Sequence, residues 1–153
     1  MHCHATRNVI HLRALLGACI ALAGLSSCAL LQGSPIEIYY DSGVTAGGVQ
    51  WEDTLTGSGE PAVEDNTVTI HYVAQLQDGA PVDSTWDRGV PMTFPLSTPP
   101  VAGLREGIVG MRPGGKRSML LPPALAFGAL GIPGRVPPDA SIHFAVDLIS
   151  VAQ

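Results

Sequence analysis

Residues suited to covalent, metal or nucleotide chemistry form no familiar motif in this chain of 153 residues. The sequence has no Gly-x-Ser-x-Gly elbow, no phosphate-binding Walker loop, no His-Glu-x-x-His and no pair of Cys-x-x-Cys motifs. After the N-terminal segment two histidines remain, His71 and His143, and a shared metal site is one interpretation of that pair. Each occupies an outward position in a segment that alternates like a strand, so we interpret both as solvated strand residues. The sequence therefore predicts no metal ion and no cofactor.

Residues 1–27 are predicted to be an export signal. Arg7 and Arg13 precede an apolar run at residues 14–25, and the segment contains no acidic residue. The run is too short to span a bilayer, which takes about 20 apolar residues, but it is typical of a secretory signal. Leu25-Ser-Ser-Cys28 then resembles a bacterial lipobox, which would make Cys28 the acylated first residue of the mature protein. The alternative is an ordinary signal peptide with an incidental cysteine.

The cysteines and the charge agree with a lipid anchor. Cys3 and Cys19 lie within the predicted signal, so the mature chain retains only Cys28 and forms no internal disulfide. A reactive thiol is the other interpretation of Cys28, but no histidine motif accompanies it. Without Arg7 and Arg13 the 8 basic residues fall to 6 against 13 acidic ones, a net charge of −7. A chain this acidic is unsuited to nucleic acid or to anionic membrane surfaces, so membrane attachment is predicted to come from lipid.

The mature chain is predicted to consist of a tether and one domain. Residues 28–47 contain Gly33, Pro35 and further glycines that interrupt regular structure. Within them, Ile36-Glu-Ile-Tyr-Tyr40 has the composition of an edge strand. Residues 48–153 have the length of a common single domain.

Alternating apolar residues predict the main strands of this domain. In Val68-Thr-Ile-His-Tyr-Val-Ala74 every second side chain from Val68 onward is apolar or aromatic and shares one face. Residues 142–149 alternate in the same way, as expected of a half-buried antiparallel strand. Residues 116–121 predict a third strand, ended by Pro122-Pro123. Asp78-Gly79 has the composition of a hairpin turn.

One helix is predicted. Val101, Leu104, Ile108 and Met111 recur at helical spacing, with polar residues on the opposite side. Three glycines lower its propensity, each by up to about 1 kcal/mol relative to alanine. We therefore expect tertiary packing to hold this helix in place.

Several short motifs follow one another in a consistent order. They are Val68-Thr-Ile-His-Tyr72, Asp78-Gly79, Val82-Asp-Ser84, Val101-Ala-Gly-Leu-Arg-Glu-Gly-Ile-Val-Gly-Met111, Gly114-Gly-Lys-Arg117, Leu121-Pro-Pro-Ala-Leu-Ala-Phe-Gly128, Gly131-Ile-Pro-Gly-Arg-Val-Pro-Pro-Asp-Ala140 and Ile142-His-Phe-Ala-Val-Asp-Leu-Ile149. In this order and spacing they resemble the FKBP-type peptidyl-prolyl isomerases, a family that binds macrolide immunosuppressants. The resemblance covers about residues 48–153. It implies an α+β fold in which a curved antiparallel β-sheet wraps around one short α-helix.

The chemistry that this resemblance implies needs no nucleophile. Rotation about a prolyl bond is opposed by a barrier of about 18–20 kcal/mol, which reflects amide resonance. Water stabilises the polar planar amide more than the twisted one. A dry apolar pocket that holds the proline ring can therefore lower the barrier by binding the transition state. The implied signature is a set of inward apolar and aromatic residues with few polar groups.

The resemblance implies catalytic roles for Tyr72, Asp83, Phe127 and Phe144. Tyr72 matches the aromatic of the first long strand, Asp83 a buried carboxylate beside the pocket, Phe127 the rim and Phe144 the last strand. The implied substrate-binding residues are Val82, Arg88, Met92, Val101, Leu104, Ile132 and Val136. Considered on composition alone, Tyr72, Leu104 and Phe144 would be ordinary core residues.

The implied binding residues surround the proline site in different ways. Arg88 commonly pairs with the carboxylate, and the Val101 amide meets a ligand carbonyl where the helix begins. Leu104 falls at the pocket floor and Val136 on its wall.

This chain departs from the best-known members at several of these positions. Leu104 replaces a tryptophan at the floor, and Phe127 replaces a tyrosine at the rim, so the hydroxyl that would bond a ligand carbonyl is missing. Val82 and Met92 replace aromatics, and Ile132 also differs from the usual loop residue. A hydrogen bond is worth about 0.5–1.5 kcal/mol net, so we expect weakened macrolide binding and modest activity.

The sequence thus predicts a peptidyl-prolyl cis-trans isomerase that assists the folding of exported proteins. Its expected partners are proline-containing unfolded or nascent polypeptides, and its expected place is the bacterial cell envelope, facing the periplasm on a lipid anchor. Ala29 after Cys28, in place of the aspartate associated with inner-membrane retention, favours the outer membrane. The alternative is a non-catalytic chaperone or peptide-binding module with the same fold.

Overall fold

The computed structural model describes residues 41–153, which form seven strands and two helices. The strands are β1 (Ser42–Val44), β2 (Gln50–Leu55), β3 (Thr67–Leu76), β4 (Pro81–Ser84), β5 (Met92–Pro95), β6 (Lys116–Leu121) and β7 (Ile142–Ala152). The helices are α1 (Thr85–Arg88) and α2 (Ala102–Ile108), with 3₁₀ turns at Pro123–Leu125 and Gly128–Leu130. No helix in this part of the chain is long and apolar enough to cross a membrane.

The strands form one antiparallel sheet in the order β1-β2-β6-β7-β3-β4. Strands β4 and β5 both pair with the same edge of β3. Strand β5 lies opposite Thr67 to Ile70, and β4 lies opposite Val73 to Gln75. One edge of β3 is therefore covered by two short strands in succession, with α1 in the connection between them. This interruption places the polar part of the site described below.

The predicted strands β3, β6 and β7 are confirmed, because their alternating residues bury one face. In β3 the side chains of Val68, Ile70 and Tyr72 are buried while the residues between them are partly exposed. In β7 the side chains of Ile142, Phe144, Val146 and Leu148 are buried in the same alternation. The Asp78-Gly79 turn is also confirmed: Gly79 has φ +88° and its N–H donates to the Leu76 carbonyl, 2.9 Å.

Helix α2 lies against the sheet at a distance that only glycine permits. A Cβ on Gly103 would come within 2.5 Å of Leu121 Cγ, and one on Gly107 would overlap Met119. The glycines that weaken the helix as an isolated segment thus allow its buried face, including Leu104 and Ile108, to reach the sheet. The fold is the predicted one, a sheet wrapped around one main helix.

The structure differs from the sequence predictions at three points. The helix ends at Ile108, so Met111 lies beyond it; Val109 leaves the helical region with φ −53° and ψ 131°. Met111 is nevertheless buried. It lies in a turn after the helix, where its carbonyl accepts the Ala62 N–H at 2.8 Å. Strand β1 lies within the segment predicted to be tether. The four strands β1, β2, β4 and β5 and the short helix α1 were not predicted.

The N-terminal strand pair is fastened to α2 through a carboxylate. Glu106 accepts hydrogen bonds from the Thr45 hydroxyl, 2.5 Å, and from the Gly47 N–H, 2.9 Å. The predicted signal at residues 1–27, the acylated Cys28 and the candidate strand at residues 36–40 lie outside the described residues.

Candidate active site

Tyr72 projects from the inner face of β3 towards the neighbouring strand β4. Its side chain is almost fully buried, and its hydroxyl donates to Asp83 Oδ2 at 2.5 Å. Asp83 is held there by strand pairing, since it lies opposite Ala74, two residues beyond Tyr72. The carboxylate and the phenol therefore meet as a consequence of the register of β3 and β4. The side chain of Asp83 is 34% exposed, so it is not the buried carboxylate that the resemblance implied.

Arg88 completes this polar group from the end of α1. Ser84 caps the start of the helix, where its hydroxyl accepts the Asp87 N–H at 3.2 Å, and Gly89, with φ +68°, caps its end. This single turn brings the Arg88 guanidinium onto Asp83 Oδ1, and its Nη2 lies 3.3 Å from the Tyr72 hydroxyl. Tyr72, Asp83 and Arg88 thus bond to one another, and we call them the Tyr–Asp–Arg network.

The electrostatics of the network fix the protonation of its members. Burial, together with the hydrogen bond to Asp83, raises the pKa of the Tyr72 phenol above its ordinary value. Burial alone would raise the pKa of Asp83, but the hydrogen bonds from Tyr72, Arg88 and the Ser84 N–H outweigh it and hold that pKa below its ordinary value. At neutral pH the network consists of a neutral phenol, a carboxylate and a guanidinium.

Thr85 is a site residue that sequence reasoning missed. Its side chain is fully buried, and its hydroxyl oxygen lies 2.8 Å from the Tyr72 amide nitrogen, 3.2 Å from the Tyr72 carbonyl oxygen and 2.9 Å from His71 Nδ1. The main-chain N–H and C=O of Tyr72 face the gap between β4 and β5, where neither strand pairs with β3. Thr85 supplies the hydrogen-bond partner instead. A threonine after Asp-Ser carries no sequence signal for this role.

The predicted apolar site residues are brought together in one hydrophobic cluster. The rings of Tyr72 and Phe144 lie 5.5 Å apart between centroids, tilted by 45°. Leu104 and Val136 are buried beside them in the cluster. The remaining members are Val82, which is buried, and Met92, Val101, Phe127 and Ile132, which are partly buried and pack against it.

Three of these positions are set by local backbone geometry. Val101 precedes α2 with extended dihedral angles. Within residues 41–153, its N–H has no intramolecular acceptor. The Ile132 N–H donates to the Val136 carbonyl at 2.9 Å, and the Val136 N–H donates to the Ile132 carbonyl at 2.8 Å. These two hydrogen bonds close the loop that carries both residues.

The histidines are not the solvated residues that the sequence suggested. His71 is half-buried, bonded to Thr85 and stacked on Trp86, with ring centroids 4.0 Å apart. His143 is also half-buried, with Nε2 2.8 Å from the Ser118 hydroxyl. The correction arises because the outer face of the sheet is partly covered by neighbouring side chains. Within the described residues, no three His, Cys, Asp or Glu side chains are grouped to hold a metal ion.

Comparison with known proteins agrees with this geometry. The family model described as FKBP-type peptidyl-prolyl cis-trans isomerase matches residues 58–149, which is more than half of the chain. The chain belongs to this family. It is therefore a peptidyl-prolyl cis-trans isomerase, and the family and the fold implied by the sequence are confirmed.

Individual relatives of this FKBP-type isomerase match about two thirds or more of its chain. It is 40% identical over 106 residues to the FK506-binding protein of Neisseria meningitidis serogroup B, covering 69% of this chain and 97% of the relative. It is 37% identical over 106 residues to the peptidyl-prolyl cis-trans isomerase Mip of Coxiella burnetii, covering 69% of this chain and 46% of that one. The crystal structure of FkpA from Escherichia coli superposes with a TM-score of 0.67 at 32% identity, covering 72% of this chain and 51% of that one.

Proposed function

We propose that this isomerase is a lipid-anchored enzyme of the bacterial cell envelope that assists the folding of exported proteins. In this proposal the apolar cluster around Tyr72 and Phe144 receives the proline ring. The Tyr–Asp–Arg network borders it, and the Val101 N–H binds a substrate carbonyl. Proline-containing unfolded polypeptides are its substrates, and Cys28 carries the lipid.

The observation that carries the proposal is that the polar groups of the site are satisfied by one another. The hydroxyl of Tyr72 and both carboxylate oxygens of Asp83 are used within the network. Among the described residues, no buried side-chain nitrogen or oxygen lacks a hydrogen-bond partner. The Tyr72 hydroxyl and the Asp83 carboxylate are therefore occupied, and in this proposal the surface that meets the proline ring and the desolvated amide is apolar.

Such a surface favours the twisted amide over the planar one. The planar amide is the more polar form, so it loses more hydration than the twisted form when water is excluded. Binding energy realised chiefly in the twisted state raises the rate of rotation. The buried side chains of Leu104 and Phe144 provide this dry contact, and the charged network next to them keeps the orientation of Tyr72 fixed.

The substitutions at the pocket change its size and its hydrogen bonding, and we expect them to weaken the binding of both substrate and macrolide. Leu104 is smaller than the tryptophan expected at the floor, and Phe127 has no hydroxyl. Neither change removes a group that the amide rotation itself uses. We therefore expect weak macrolide binding alongside measurable isomerase activity.

The anchor is proposed from the sequence. A single acyl chain gives only marginal membrane binding, so stable attachment requires more than one chain at Cys28. The acidic mature chain offers no alternative electrostatic attachment. Ala29 favours the outer membrane as the site of retention, with the domain facing the periplasm.

The experiment is cis/trans isomerisation of a proline tetrapeptide by the full chain in detergent micelles. We expect acceleration over the uncatalysed rate and a fall in kcat/KM of about tenfold or more in Asp83→Ala, because a hydrogen bond to a charged group is worth about 1.5–3 kcal/mol. Asp147→Ala is the matched control, since Asp147 pairs with Lys116 on the outer face of the sheet. Unchanged turnover in a folded Asp83→Ala variant would refute the site assignment.

A further inference from the structure

An open groove of about 860 Å³ begins at the edge of the proposed active site. Val82, Asp83 and Arg88 line it and also belong to the site, whereas Tyr72 and Phe144 do not line it. Its other lining residues come from β3, β4 and α1, and from Arg135 in the loop between β6 and β7. The groove therefore shares three lining residues with the site and extends beyond the position proposed for the proline ring.

Trp86 gives this groove an aromatic surface that is exposed and yet held in place. The residue is 54% exposed. One face of its ring stacks on His71, with centroids 4.0 Å apart and planes inclined by 18°. His71 is in turn fixed by Nδ1, which lies 2.9 Å from the Thr85 hydroxyl. Because the ring is already ordered, a ligand that packs on it loses little additional side-chain entropy.

The charges of the groove balance. Arg88 and Arg135 face Asp83 and Asp87, and Arg88 already pairs with Asp83. The groove therefore offers no strong selection for a charged ligand. Trp86 remains as the lining residue with a large apolar surface to contribute to binding.

We propose that this groove binds the stretch of substrate polypeptide that flanks the proline, with an aromatic or long apolar side chain packed on Trp86. The inference rests on the proposed function, because the flank reaches the groove only if the proline occupies the adjoining site. Trp86 then acts as a specificity-determining residue. It selects among proline-containing sequences and takes no part in the rotation.

The test compares peptides that differ only at the flank. Nonapeptides with a central proline carry either Phe or Ser at two, three or four residues before or after it, and a proline tetrapeptide reports on the site alone. The assays use the full chain in detergent micelles. We expect kcat/KM for the peptide with Phe at one of these positions to exceed that for the matching Ser peptide by about twofold to tenfold, because an aromatic pair contributes binding energy of this size. The difference should arise from a lower KM. The excess should disappear in Trp86→Ala and largely persist in Trp86→Phe.

Leu55→Ala is the matched control, because Leu55 is 49% exposed on β2 and does not line the groove. This variant should retain the wild-type excess. If Trp86→Ala does not fold, an NMR titration of the wild-type chain with the Phe nonapeptide replaces it, and the Trp86 indole resonance should shift while that of Trp51 does not.

Two results would overturn the groove proposal. In the first, no Phe peptide has a higher kcat/KM than its Ser counterpart with the wild type. In the second, the higher kcat/KM of a Phe peptide survives in folded Trp86→Ala. Tetrapeptide turnover and its loss in Asp83→Ala test the site separately. The groove can therefore fail while the proposed function stands.

Discussion

The hydroxyl oxygen of Thr85 lies within hydrogen-bond distance of both the amide nitrogen and the carbonyl oxygen of Tyr72, at 2.8 and 3.2 Å. Thr85 follows Asp83 by two residues and precedes Arg88 by three. The segment that carries the carboxylate and the guanidinium is therefore fixed to the main chain of Tyr72 as well as to its phenol. The alignment of the network depends on a residue that makes no contact with the proposed proline position.

We predict that Thr85→Val destabilises the fold by about 1–3 kcal/mol, because it leaves the Tyr72 N–H buried without an acceptor. Valine has nearly the shape of threonine, so the change isolates the hydroxyl. The free energy of unfolding in urea measures the effect, and Thr85→Ser, which restores the hydroxyl, should recover most of it. A valine variant as stable as the wild type would show that the hydroxyl contributes nothing.

Asp83 should make stability depend on acidic pH. Its pKa is lower in the folded state than its ordinary value, and such a carboxyl adds stability above the unfolded-state pKa, about 3.9, and loses it as pH falls through the folded-state pKa. Asp83→Asn should therefore unfold at a lower temperature than the wild type at pH 7. The difference should shrink as pH falls below about 4, as followed by circular dichroism between pH 2 and 7. A difference that stays constant over this range would contradict the assignment.

Gly103→Ala should destabilise the protein although alanine is the better helix former. The propensity gain is at most about 1 kcal/mol, whereas overpacking a buried contact costs about 1–3 kcal/mol. The added Cβ would lie 2.5 Å from Leu121 Cγ, and Leu121 is itself fully buried. In a Leu121→Ala background the penalty should become smaller, because the obstructing atoms are gone. Equal penalties in the two backgrounds would show that the contact is not the cause.

Phe127→Tyr should raise the affinity for a macrolide immunosuppressant. The change adds the hydroxyl that the resemblance to other family members implies at the rim, and one hydrogen bond is worth about 0.5–1.5 kcal/mol, or about twofold to tenfold in Kd. Titration calorimetry measures the affinity, with Phe127→Leu as the variant that adds no hydroxyl. An affinity that rises equally in both variants would assign the effect to shape and not to the hydrogen bond.

The long strands could be predicted from the sequence because one face of each is buried over seven consecutive residues. Residues 68–74 and 142–149 alternate over enough positions to be distinguished from a helix. The short strands could not, since β1 has three residues and β5 four, and their pairing is set by partners distant in the chain. Met111 misled the helix prediction because an apolar residue packs equally well from a turn.

The site was predicted through a family pattern and not through the chemistry of its residues. Tyr72, Asp83 and Arg88 are separated by up to 16 residues, and nothing in their spacing shows that β3, β4 and α1 bring them together. Thr85 and Trp86 escaped prediction for a different reason. Their roles depend on the gap beside β3, which exists only once the strands have paired.

The edges of the sheet have a consequence for how this isomerase handles its substrates. The edge positions of the described sheet are held by β1, with three residues, and by β4 and β5, with four each; β4 begins at Pro81 and β5 ends at Pro95. An extended chain that meets these edges finds few free N–H and C=O groups in register, which disfavours its addition as a further strand. Release of the product after isomerisation is therefore little opposed by accidental β-addition, and in the proposed role among unfolded chains the same short edges would limit coaggregation.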